Sequence, residues 1–82
     1  MKYVIVKDQF GDEVAILFDE MLDHSRVAHN AIAAGFCTIN QVDTNTDYEP
    51  DVTCYGNSVT LGCGSRGTRD RLLIVKALSM KL

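Results

Sequence analysis

The 82-residue chain has no long hydrophobic run. The apolar stretch after Lys2 ends where Lys7 and Asp8 interrupt it. That is too short for a signal-peptide core and far short of the roughly 20 residues a membrane-spanning helix needs. There is no excess of base either: eight Lys and Arg against eleven Asp and Glu leave a net charge of −3. Proteins that grip nucleic acid through its phosphates normally carry the opposite imbalance, so nucleic acid is not the expected partner. An even set of cysteines is also missing. Cys37, Cys54 and Cys63 are three in number, and the expectation is three small apolar thiols, reduced and inert, in a cytoplasmic protein.

Repeats, linkers and low-complexity segments are absent as well, which leaves one domain over residues 1–82. A domain of this size buries only about 60–65% of its unfolded surface, so its core is thin and oligomerisation is the expected supplement. The usual signatures of chemistry do not occur. There is no G-x-S-x-G, no H-x-E, no C-x-x-C and no paired-carboxylate pattern. His24 and His29, five apart, would sit on different faces of a helix and could not share a metal ion. A Cys37–His24 pair is conceivable, but no orienting third group accompanies it. No enzyme, metal or cofactor is expected.

What is present is a pattern of short strands and two helices. Residues 3–7 and 14–18 are β-branched and aromatic runs separated by a polar segment containing Gly11, which predicts a hairpin. Both strands are apolar on both faces, so the hairpin should be covered on each side. Asp23 is placed to cap a helix over about 24–34, with Val27, Ala28, Ala31, Ile32 and Ala34 as its stripe and Gly35 as its terminator. A strand over 36–42 and a polar loop over 43–50 follow. Strands at 51–55 and 58–63 flank Gly56-Asn57, a two-residue turn that would set Cys54 opposite Val59 and Val52 opposite Leu61. Ser65 or Thr68 caps a last helix beginning near residue 69. The expected fold is α+β, ordered ββαβββα, with an antiparallel sheet of about five strands and two helices.

Three segments invite a functional reading. Gly62-Cys63-Gly64-Ser65-Arg66-Gly67 spells G-x-G-x-x-G between a strand and a helix. A dinucleotide site also needs a following parallel strand and an acidic residue about 20 positions on, and neither fits here. Asp43-Thr44-Asn45-Thr46-Asp47 opens like a calcium loop, but Tyr48 stands where glycine is required and Cys54 where the bidentate glutamate belongs. The third is the arginine cluster. Arg66, Arg69 and Arg71 crowd the start of the last helix, where positive charge opposes the helix dipole. They are therefore the candidate contact surface for a protein partner or an anion. The last helix also carries more apolar residues than one stripe uses. Leu72, Leu73 and Met80 fall outside the face of Ile74, Val75 and Leu78, which predicts a homodimer interface.

Five stretches together suggest a family. They are Tyr3-Val4-Ile5-Val6-Lys7, Leu22-Asp23-His24-Ser25-Arg26-Val27-Ala28, Ala34-Gly35-Phe36-Cys37, Cys54-Tyr55-Gly56-Asn57-Ser58-Val59 and Ser65-Arg66-Gly67. Along most of its length the chain resembles short accessory proteins encoded by bacteriophages and prophages. The resemblance implies a non-enzymatic protein that binds another macromolecule. Some such proteins inhibit host defence systems such as CRISPR. It assigns no role to any residue. The alternative from a different class is a small-ligand or anion-binding module built on the Gly/Arg-rich turn at 62–71.

Overall fold

The computed structural model describes residues 1–40 and 51–79. The fold is α+β: a four-stranded antiparallel sheet, a two-stranded ribbon and two helices. The first hairpin joins β1 (Lys2–Lys7) to β2 (Glu13–Phe18) in unbroken register, from Lys2 opposite Phe18 to Lys7 opposite Glu13. Its turn is held by Asp8, whose carboxylate accepts the N–H groups of Phe10 (2.8 Å) and Asp12 (2.9 Å). Gly11 supplies the left-handed residue at φ +83°.

The expected helix over 24–34 is one turn only, α1 (His24–Val27). Ala28 is already extended, with φ −156° and ψ 138°, and Asp23 makes no side-chain cap. From Ala33 the chain is β3 (Ala33–Asn40), which pairs antiparallel with β1 so that Val4 faces Ala34 and Tyr3 faces Gly35. The small residues serve the centre of a sheet. A Cβ on Gly35 would sit 2.6 Å from the Tyr55 carbonyl oxygen and 3.4 Å from the Tyr3 ring. Gly35 is thus a packing residue and not a helix terminator. A short helix stabilises itself poorly, and pairing with β1 outweighs its propensity. Gln41, Val42 and the loop at 43–50, with its calcium-like segment, lie outside the described residues.

β4 (Asp51–Tyr55) pairs with β3, placing Cys54 opposite Cys37 and Val52 opposite Ile39. This replaces the expected partners Val59 and Leu61. Gly56 does take positive φ, at +77°, but the chain does not fold back there onto β4. The reversal comes at residues 59–62, where β5 (Asn57–Ser58) pairs with β6 (Cys63–Gly64) around Gly62 at φ +68°. The Ser58 hydroxyl accepts the Leu61 N–H and its carbonyl accepts that of Gly62. The expected fifth strand of the sheet is therefore a separate ribbon lying against β3.

The last helix, α2 (Thr68–Ser79), packs across β2 and β4. Its Ile74 and Val75 join Tyr3, Ile5, Ala33, Cys37 and Val52 in the core. Leu73, expected to point away, packs against that same core, while Leu72 remains 57% exposed. Met80 lies outside the described residues. The sheet order is β2-β1-β3-β4, so among the described residues β2 and β4 are its edges. Among the described residues no helix is long and apolar enough to cross a membrane.

Candidate functional site

Two regions gather the polar and exposed apolar side chains on which a function could rest. The first is the start of α2. Ser65 accepts the Gly67 N–H through its hydroxyl (3.0 Å), so Ser65 shapes the entry to the helix. The Asp70 side chain is fully buried and accepts three hydrogen bonds: from the Tyr3 hydroxyl (2.6 Å), the Arg66 backbone N–H (2.8 Å) and Arg66 Nε (2.7 Å). Arg66 reaches past Asp70 to Glu13 on β2 (2.8 Å), and Arg69 grips the other Glu13 oxygen (2.8 Å). A carboxylate in the first helical turn and another facing it offset the positive charge that the helix start would otherwise disfavour.

The arginine cluster is therefore a bond between α2 and the sheet. Two of its three arginines hold a carboxylate that the chain itself supplies at Glu13. Arg71 is half-buried and is not free either. Charge-assisted bonds to Arg66 hold the Glu13 carboxyl below the usual glutamate range. Burial, reinforced by the bond to Asp70, pushes the Tyr3 phenol well above its ordinary value. Sequence reasoning could have found the Arg66–Asp70 link, four apart across the entry to α2. Nothing local signals that Glu13, 53 positions before Arg66, completes it.

The thiols sit in the same neighbourhood. Burial pushes the Cys54 thiol up to about 11, and raises Cys37 and Cys63 as well. A raised thiol holds its proton at neutral pH and is a poor nucleophile. The Cys37–His24 pairing does not form. Cys37 faces α2, whereas His24 covers the opposite side of the sheet, where its Nε2–H donates to the Gly35 carbonyl at 2.8 Å. The His24 ring stands edge-on to Phe18 and Phe36, at 5.5 and 5.7 Å between centroids. Among the described residues no three His, Cys, Asp or Glu side chains are placed to hold a metal ion.

The second region is the sheet face away from α2. Val4 and Ala34 at its centre are fully buried beneath the α1 segment. Towards the β2 edge the cover ends. Val14 is 40% exposed and Ile16 37%, and across the sheet Tyr55, stacked on Phe36, is half-exposed. β2 is thus an edge strand with five successive apolar residues, Val14 to Phe18. Beside it, between the strand and α2, runs an open groove of about 340 Å³ floored by Val14, Ala15, Leu73 and Ala77. Sequence reasoning marked the hairpin as apolar on both faces, but not which strand lies at an edge.

Comparison with protein-family models, curated proteins and solved structures finds no match to this chain.

Proposed function

We propose that this chain is a non-enzymatic accessory protein of the cytoplasm that works by binding another protein, in the manner implied by its resemblance to phage-encoded accessory factors. The observation that carries this is β2: an apolar strand at a sheet edge, with Val14 and Ile16 open to solvent and an apolar groove beside it. Contiguous open apolar surface rimmed by polar residues marks an interaction site. The protonated thiols speak in the same direction. The anion-binding alternative loses its strongest element, because Arg66 and Arg69 already hold Glu13.

Affinity capture from bacterial lysate followed by mass spectrometry tests the proposal. Wild-type protein should retain a partner that the double variant Val14→Lys, Ile16→Lys loses, while the variant's thermal midpoint stays within a few degrees. Retention of every partner by the variant would refute a role for this face. Inhibition of a host defence system is one role open to such a binder, and a captured defence protein would establish it.

A homodimer is a second proposal. Exposed Leu72 supports it, together with the open half of the sheet face. Sedimentation equilibrium at micromolar concentration decides it, since a monomer throughout would end it.

A further inference from the structure

The outer edge of β2 has the features of a strand-accepting site. Edge strands that must stay unpaired are usually short, bulged, interrupted by proline or charged along their length. β2 is none of these: its register with β1 runs unbroken, and Glu13–Phe18 contains one charge, at its first residue. The direction of its free backbone groups follows from the hairpin. The Asp8 N–H donates to the Asp12 carbonyl, so alternate residues counted from Asp12, namely Val14, Ile16 and Phe18, turn their backbone groups to β1. Glu13, Ala15 and Leu17 turn theirs outward. Among the described residues no strand meets them.

Charge selects the occupant. Asp8 and Asp12 lie at the start of the strand, on the rim of the groove. Asp19 and Glu20 follow its end, with Glu20 paired to the N-terminal ammonium and Asp19 exposed. Of the groove's three carboxylates Glu13 is already held by Arg66 and Arg69, which leaves Asp8 and Asp12 against the one ammonium of Lys76. A second copy is a poor occupant. Antiparallel self-pairing on a common face brings Asp12 within two residues of Asp19 of the other copy, at both ends. A segment with an apolar centre and Lys or Arg at both ends meets apolar residues in the middle and acids at each end.

Resting on the protein-binding reading above, we infer that β2 accepts an extended, basic-ended segment of a partner protein as an added antiparallel strand. One of the partner's apolar side chains fills the groove over Ala15, between Val14 and Leu73. Main-chain bonds to Ala15 and Leu17 supply affinity, and the flanking acids supply selection.

The test uses three short probe peptides with an alternating Val-Thr centre: one with Lys and Arg at both ends, one with Glu at both ends, and the basic one with a central proline. In NMR titrations the basic peptide should slow hydrogen exchange at Ala15 and Leu17. It should bind about tenfold more tightly than the Glu-ended peptide, with a gap that narrows as salt is raised. The proline peptide should not bind. The Ala15→Pro variant removes only an outward N–H, which edge strands tolerate, and should abolish docking. The double variant Asp12→Lys, Asp19→Lys leaves the strand intact and should reverse the preference towards Glu ends. Equal binding of both charge types, protection at β4 in place of β2, or no binding by any probe would overturn the inference. Lysate capture that Ala15→Pro leaves unchanged, but Val14→Lys with Ile16→Lys destroys, would overturn the edge alone and leave the protein-binding proposal standing.

Discussion

On the α2 side of the sheet, Tyr3, Ile5, Cys37 and Val52 meet Ile74 and Val75 beneath a twelve-residue helix. On the other side, Val4 and Ala34 lie under a single helical turn and its flanking segments, and the cover stops before it reaches Val14 and Ile16. Both faces draw on the same strands and comparable residues. They differ in how much helix the chain can bring to them. The first face is also held by ionic bonds, since Glu13, Arg66 and Asp70 tie helix to sheet around the Tyr3 hydroxyl. The second is organised by rings, with His24 edge-on to Phe18 and Phe36, and Tyr55 stacked at the margin. A small domain that covers one face with a long helix and the other with a single turn has most of its stability on the first side and more apolar surface left over on the second.

The sharpest way to break this contrast is Asp70→Ala. It removes the acceptor of three hydrogen bonds at a fully buried position. A loss of about 3–4 kcal/mol is expected by urea denaturation, because the donors that remain lose their partner. For a domain this small that is a large share of the total. Ile74→Ala, also fully buried, should cost about 3 kcal/mol through lost burial and the cavity left behind. On the opposite face Ile16→Ala should cost less than about 1 kcal/mol, because the side chain is already partly in water. Equal losses for Ile74→Ala and Ile16→Ala would erase the distinction between the faces.

The smallest expected effect concerns pH. The Glu13 carboxyl is held below its ordinary value of 4.5, chiefly by its bond to Arg66. A depressed carboxylate contributes stability that is complete above the unfolded value and is lost as pH falls through the folded one. Wild-type protein should therefore lose thermal stability on acidification below about pH 4.5, where Glu13→Gln loses less. Parallel pH profiles for the two proteins would show that the Glu13 contacts are too solvated to matter.

The fold was legible where a local rule operates alone. The first hairpin could be read from its two β-branched runs and Gly11, and α2 from its apolar spacing. The segment around Ala31 to Gly35 was not, because small residues suit a close-packed helix and a crowded central strand equally well. Only the approach of Tyr3 and Tyr55 to Gly35 tells the two apart. Gly56-Asn57 signals a turn by composition, yet pairing between β3 and β4 took the residues that a local hairpin would have used. The arginines of the α2 start were visible as unusual positive charge at a helix N-terminus. Their partner was not, since Glu13 sits on a strand far away in sequence.

The sequence by itself determined the class of fold, the first hairpin, the last helix and the excess of apolar residues over what one thin core can hide. Those follow from periodicity, turn residues and composition, which act over a few neighbouring positions. Strand order, the shortening of α1 and the pairing of Glu13 with Arg66 were decided only by the tertiary structure. So was the identity of β2 as the exposed apolar edge. Each depends on which distant segments meet, and that choice is made by the whole core at once, through burial and hydrogen bonding summed over every element.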